Sequence, residues 1–157
     1  MNSLLARAMR LLSQRDFSEA EMRRKLLTAH SSFRTQGERE PVSEEDVNGV
    51  IEYCRQHGWL NDSDYGVRFV ESRSRKGYGP RRILLEMQQK GINQEEAKAA
   101  LASCDLDWFA LAKEAAYRKS NGTLPVDWKE KAKLQRYLIQ RGFRQDEIHA
   151  VFSDSEY

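Results

Sequence analysis

Apolar residues recur at helical spacing along nearly the whole of this chain. Leu4, Leu5, Ala8, Leu11 and Leu12 sit at i, i+1, i+4, i+7 and i+8, on one face of a first helix. Asp16-Phe17 interrupts it. Ser18-Glu19-Ala20-Glu21 then reads as a capping box: the Ser oxygen accepts from an orphaned N–H one turn on, and the Glu reaches back to the N-cap N–H. Met22 and Leu26 mark the inner face of a second helix. Residues 28–42 carry Ser, Thr, Gly and Pro without periodicity and read as a loop. Ser43 opens a third helix with Val47, Val50, Ile51 and Cys54 inward, and Gly58 suits its C′ position because it tolerates φ > 0. Asn61 or Asp62 caps a fourth, with Tyr65, Phe69 and Val70. Gly79-Pro80 starts a fifth, with Ile83, Leu84 and Met87, and Gly91 ends it. Asn93 caps a sixth, with Ala97, Ala100, Leu101 and Cys104. Asp105 or Asp107 starts a seventh, with Trp108, Leu111, Ala112 and Ala115. Asp127 caps an eighth, with Leu134, Tyr137 and Leu138, ended by Gly142, and a ninth carries Ile148, Val151 and Phe152.

The pattern repeats on itself. A shift of 51 places Gly91-Ile92 on Gly142-Phe143, Ile83 on Leu134, Met87 on Leu138, Ala97 on Ile148 and Leu101 on Phe152. A shift of 61 places Met22 on Ile83 and Leu26 on Met87, and past the loop a shift of 50 places Val47 on Ala97, Ile51 on Leu101 and Cys54 on Cys104. The change from 61 to 50 is an 11-residue insertion in the 28–42 segment. The expected architecture is all-α: about nine helices in three three-helix repeats, residues 1–60, 61–104 and 105–157, stacked as an elongated tandem array. The competing reading is a compact bundle with fortuitous self-similarity.

Composition narrows the function. Over 157 residues, 26 Lys+Arg against 24 Asp+Glu give a net charge of only +2, so a strongly basic nucleic-acid tail is excluded. No apolar run approaches the roughly 18–20 residues that cross a bilayer, and Met1 to Arg7 lacks a charged segment followed by an apolar core. A cytoplasmic protein without membrane attachment is expected. Cys54 and Cys104 cannot form a disulfide framework, and their shared repeat position makes them small core residues. His30, His57 and His149 have no second ligand at metal spacing, and no phosphate-binding Gly loop follows a strand. No catalytic constellation, metal site or cofactor is indicated.

The near-neutral total hides a local imbalance. Between Gly66 and Arg82 stand six basic residues, Arg68, Arg73, Arg75, Lys76, Arg81 and Arg82, against one acid, Glu71. A Gly-rich turn between helix ends offers guanidinium forks and backbone N–H groups together, which suits phosphate or carboxylate. Tyr78 is a candidate stacking surface. The alternative is a solvated turn whose arginines complement a helix C-terminus. Secondary basic sites are Arg23-Arg24-Lys25 and the Lys129, Lys131, Lys133, Arg136 series, both on second helices of their repeats, which stacking would align. A helix-turn-helix over residues 79–101 is disfavoured, because Glu95 and Glu96 would set carboxylates against the DNA.

These residues resemble the RecX family, bacterial regulatory proteins that modulate the RecA recombinase. The resemblance rests on Arg15-Asp16-Phe17-Ser18-Glu19 with Glu21 and Lys25-Leu26, and on Gly58-Trp59-Leu60-Asn61-Asp62 with Tyr65. Ser72 to Ile83 is its most specific stretch, followed by Lys90-Gly91-Ile92 and Arg141-Gly142-Phe143 with Ile148. The chain looks most like members from enteric-type proteobacteria. Met22, Met87 and Gly66 depart from the family's tendency to Leu, Leu and Ala. The resemblance implies a non-enzymatic negative regulator, acting in homologous recombination, DNA repair and the SOS response. It would lie in the groove of the RecA–single-stranded DNA filament and suppress strand exchange, ATP hydrolysis and co-protease activity. The expected contact residues are Arg73, Arg75, Lys76, Tyr78, Arg81, Arg82, Arg23, Arg24, Lys25, Lys133 and Arg136, with single-stranded DNA as an auxiliary partner and the protein a monomer. The alternative is a stand-alone, sequence-independent single-strand binder. Such a binder needs several aromatics on its basic face. Trp59, Trp108, Tyr137 and Phe143 fit helix seams or ends, leaving mainly Tyr78 free.

Overall fold

The computed structural model describes residues 2–32 and 42–154, and its backbone is helical where the apolar spacing is helical. Among these residues there are nine helices and no strand: α1 (Asn2–Gln14), α2 (Glu19–Ser32), α3 (Glu44–Gln56), α4 (Asp62–Arg75), α5 (Pro80–Gln89), α6 (Gln94–Ser103), α7 (Trp108–Lys119), α8 (Trp128–Arg141) and α9 (Gln145–Asp154). The all-α expectation holds.

The helix boundaries have local chemical causes. Ser18 Oγ accepts the Glu21 N–H, and Glu21 Oε1 accepts the Ser18 N–H, both at 3.1 Å, which completes the capping box. The side chains of Ser43, Asn61, Asn93 and Asp107 each accept an N–H three residues on. Gly142 closes α8 in the left-handed region, at φ 99°. One boundary differs from expectation: α2 runs through Ser32, so the segment read as a loop from residue 28 begins as helix. Thr28 Oγ1 donates to the Arg24 carbonyl at 2.7 Å, which satisfies the hydroxyl without breaking the helix. Residues 33–41 of that segment lie outside the described residues.

The chain divides into two compact units, residues 1–65 with 90–92, and residues 66–89 with 93–157. In the first, α1, α2 and α3 pack together around Ala8, Phe17, Met22, Leu26, Val47, Ile51 and Leu60. In the second, α5 packs on α6, while α7, α8 and α9 enclose Ala112, Ala116, Leu134, Leu138, Phe143 and Val151. The self-alignment selects buried positions: Met22, Ile83 and Leu134; Leu26, Met87 and Leu138; Val47, Ala97 and Ile148. Equivalence weakens at the ends of the third helices, where Ile51 is buried but Leu101 and Phe152 are half-buried. Cys54 is buried and unpaired, whereas Cys104, expected to match it, is also free but only half-buried, with its Sγ 3.7 Å from the Val67 carbonyl. Burial pushes both thiols above their usual pKa, so neither is activated as a nucleophile.

Candidate functional site

The basic turn is built where the second unit brings the start of α5 against the end of α8. The Gly79 N–H donates to the Arg141 carbonyl at 2.7 Å, and the Arg81 N–H donates to the Gly142 carbonyl at 2.9 Å. Unpaired donors at one helix start thereby satisfy unpaired acceptors at another helix end. Such an approach needs glycine at position 79. A Cβ there would stand 2.5 Å from Gly142 C and from Phe143 N. Gly77 supplies the reversal after α4, at φ 91°.

This docking delivers Arg141 to the turn. Its Nε donates to the Gly77 carbonyl at 3.2 Å and its Nη2 to the Lys76 carbonyl at 2.6 Å. The Arg73 fork meets Glu86 at 2.8 and 2.9 Å, and Arg82 Nε reaches the same carboxylate at 3.2 Å. Arg82 Nη1 also donates to the Gln140 carbonyl at 3.2 Å. All three guanidiniums lie over the Tyr78 ring, at 3.9 Å for Arg73, 4.0 Å for Arg141 and 4.6 Å for Arg82. The cation–π attraction and the carbonyl bonds hold these side chains in place.

The electrostatics follow. The Arg141 charge, together with Arg73 and Arg82 and against a desolvation penalty, holds the Tyr78 phenol below its usual pKa. Burial would raise the Glu86 pKa, but its bonds to Arg73 and Arg82 outweigh that and keep it below the ordinary carboxylate value. Glu86 is thus an anionic clasp within a cationic cluster.

The sequence-derived candidates fall into distinct environments. Arg75, Lys76 and Arg81 project from the turn and are exposed, while Arg73 and Arg82 are partly buried by the clasp. Tyr78, expected to be free for stacking, is half-buried and flanked by three cations. Lys133 and Arg136 are exposed on α8. Lys133 lines a surface cleft with Lys119 and Tyr137. The Tyr137 ring carries Lys119 Nζ at 4.9 Å and the Arg141 guanidinium at 5.5 Å, so Arg141 links this cleft to the Tyr78 cage. Arg23, Arg24 and Lys25 belong to the first unit. Arg23 is hydrogen-bonded to Asn48, and Arg24 and Lys25 line a notch with Arg15 and Glu21.

Three residues of the site were not among the expected contact residues. Arg141 and Arg118 both approach Gly77, where an added Cβ would lie 3.0 Å from Arg141 Nη2 and 3.6 Å from Arg118 Nη1. Their sequence signal was weak: a basic last turn on a helix. The third is Trp128. It begins α8 with 73% exposure beside Val126 at 88%, and Lys129 Nζ lies 6.0 Å from its ring. Phe143 is buried and Trp108 and Tyr137 are half-buried, as seam positions should be, but Trp59 is open at 40%. Tyr78, expected to be the main free aromatic, is half-buried among three cations, while Trp128, Phe109 and Trp59 are more exposed.

Among the described residues no group of His, Cys, Asp or Glu could hold a metal ion, and no helix is long and apolar enough to cross a membrane. Residues 61–101 match the second three-helix domain of RecX, and residues 105–152 match the third. A regulatory protein RecX from Serratia proteamaculans is 51% identical, with 98% of each chain covered. One from Yersinia enterocolitica is 48% identical, again over 98% of both. Two solved structures share the fold. A crystal structure of regulatory protein RecX matches with TM-score 0.73 at 21% identity, covering 97% of this chain and 71% of the other. RecX from Lactobacillus salivarius matches with TM-score 0.76 at 19% identity, covering 98% and 94%. With full-length identity near one half to the first two and the helical repeats in register with two of its domains, this chain belongs to the RecX family of regulatory proteins.

Proposed function

We propose that this protein is a negative regulator of RecA. It binds the RecA–single-stranded DNA filament in its helical groove and suppresses strand exchange, ATP hydrolysis and co-protease activity. It works as a cytoplasmic monomer built of three three-helix repeats, residues 1–60, 61–104 and 105–157. The observation that carries the reading is the arginine cage around Tyr78. Arg73, Arg82 and Arg141 are already ordered, so little side-chain entropy is lost when they meet a polyanion. Arg75, Lys76 and Arg81 extend beyond the cage as the exposed contact. Phosphates of the bound strand and carboxylates of the filament both suit guanidinium forks. A protein that bridges neighbouring protomers favours one filament geometry, and so opposes the changes that ATP turnover and strand exchange require.

Trp128 favours a second component, contact with single-stranded DNA. An open indole at the head of a lysine-rich helix suits stacking on a base while the lysines meet phosphates. The alternative of a stand-alone single-strand binder rests on this residue. Binding to RecA filaments, to bare single-stranded DNA and to free RecA, compared at about 150 mM salt, separates the two. A filament regulator binds the filament more tightly than either component; a stand-alone binder holds bare DNA as tightly as the filament.

A further inference from the structure

We propose that Tyr53, His57 and Trp59, at the end of α3, form a docking platform for an arginine- or lysine-bearing segment of a partner protein. This inference does not depend on the RecA reading, and none of these residues takes part in the basic cluster.

The platform is assembled locally. Tyr53 and His57 stand four residues apart on one face of α3. Gly58, at φ 73°, reverses the chain, and the Trp59 N–H donates to the Cys54 carbonyl at 2.8 Å. Trp59 is thereby folded back beside the helix end. His57 Nδ1 lies 2.9 Å from the Tyr53 carbonyl, which fixes the imidazole between its neighbours. The Tyr53 and His57 rings stack with centroids 4.1 Å apart. Trp59 tilts against His57 at 4.9 Å and meets Tyr53 edge-on at 5.9 Å. The cluster is nevertheless open: Tyr53 is 38% exposed, Trp59 40%, and nothing lies within 4 Å of a Cβ placed on Gly58. Contiguous exposed rings of this kind mark an interaction surface more often than isolated ones do.

The local charge selects the occupant. Three carboxylates, Glu19, Glu52 and Asp62, act on the guanidinium in the last turn of α3, Arg55, and Asp64 follows in the first turn of α4. Arg55 is already used, bonded to Glu19 at 2.7 and 2.9 Å and to Glu52. A nucleic-acid strand would bring its phosphates into this negative field. A cationic side chain is attracted twice, by the faces of the rings and by the carboxylates. Trp128 is the counter-case, an open indole among lysines.

The test uses the full chain and a hexa-arginine peptide, followed by the indole and backbone amide resonances, with the Trp59 indole assigned from a Trp59→Phe sample. The peptide should shift the Trp59 indole and the amides of residues 53–60. Tyr53→Ala with Trp59→Ala should weaken its binding roughly five- to thirty-fold. Tyr53→Phe with Trp59→Phe, which keeps two ring faces, should retain most of it. Should the alanine pair fail to fold, the mapping on the unaltered chain and the phenylalanine pair still decide. Equal affinity in a folded alanine variant would reduce the effect to carboxylate attraction and overturn the proposal. So would oligodeoxythymidine shifting these resonances in place of the peptide. Concentration-dependent self-association abolished by the alanine pair would give the platform to a second copy of this chain instead.

Discussion

Gly79→Ala tests the way the basic turn is built. The new methyl group would lie 2.5 Å from Gly142 C and Phe143 N and 2.6 Å from Gly142 O. All three are backbone atoms, so no side chain can swing aside. Restoring ordinary contact requires the start of α5 and the end of α8 to separate by about 1 Å, since carbon atoms pack at roughly 3.5–4 Å. The Gly79–Arg141 and Arg81–Gly142 bonds, now 2.7 and 2.9 Å, would lengthen past hydrogen-bonding range. Arg141 would also leave the Lys76 and Gly77 carbonyls. At about 1 kcal/mol net for each bond, the loss is roughly 2–4 kcal/mol. Urea unfolding followed by circular dichroism measures it. Gly66→Ala is the control: its methyl would meet only Ala100 Cβ at 3.1 Å and Met87 Sδ at 3.7 Å, within α4. There the gain in helix propensity, up to about 1 kcal/mol, offsets a small repacking cost. A Gly79→Ala protein within about 0.5 kcal/mol of the parent, the range of an ordinary surface change, would refute the docking of α5 on α8 as described.

Two buried glutamates should respond oppositely. Burial would raise the Glu21 pKa, but the Ser18 N–H and the charges of Lys90 and Arg15 hold it below its usual value, so it stabilises above the unfolded pKa of roughly 4.3. That contribution fades as pH falls through the folded value; Glu21→Gln should cost about 1–2 kcal/mol at pH 7 and little in acid, seen as a flatter pH–stability curve. Glu147 caps α9 through the Arg144 N–H at 2.7 Å, yet burial dominates and raises its pKa, so its ionisation weakens the fold as pH rises. Glu147→Gln should therefore be neutral or stabilising at pH 7 by the same urea measurement. Trp128→Ala should change stability by less than about 0.5 kcal/mol while weakening single-stranded DNA binding by roughly 1–3 kcal/mol in a fluorescence-anisotropy titration. Replacing Cys54 and Cys104 with Ala should lower stability modestly, with Cys54 the larger share, and leave inhibition of RecA intact in an ATPase assay.

The legible features were those set by neighbours in sequence. Ser18 with Glu21, Asn93, Asp107 and Gly142 act within one helical turn, so their caps could be read from spacing alone. The repeat was legible because buried positions must stay apolar, as Met22, Ile83 and Leu134 do. What escaped depends on distant parts of the chain. Arg141 reaches the Gly77 carbonyl across 64 residues, and nothing near either residue announces it. Tyr78 has the same periodicity whether its ring is open or caged. The helical extension of α2 to Ser32 was hidden by its polar sequence; at Thr28 the hydroxyl bonds back to the Arg24 carbonyl. Trp128 directly follows the Asp127 cap, and spacing does not reveal that its ring is left 73% exposed at the head of α8.

The account rests on the exposed arginines around the Tyr78 cage acting as the contact with the filament. Arg75→Glu with Arg81→Glu tests this most directly, since both side chains are exposed and neither is bonded to the Glu86 clasp. The measurement is inhibition of RecA's single-stranded-DNA-dependent ATPase at about 150 mM salt, with helicity and urea midpoint as folding controls. The predicted result is a variant folded like the parent that has lost most of its inhibition. The parent's inhibition should also weaken as salt rises, as counterion release requires. A folded variant that inhibits as strongly as the parent would contradict the account. The contact would then lie elsewhere, around Arg23-Arg24-Lys25 or Lys133 and Arg136, and the cage would serve only to fasten α5 to α8.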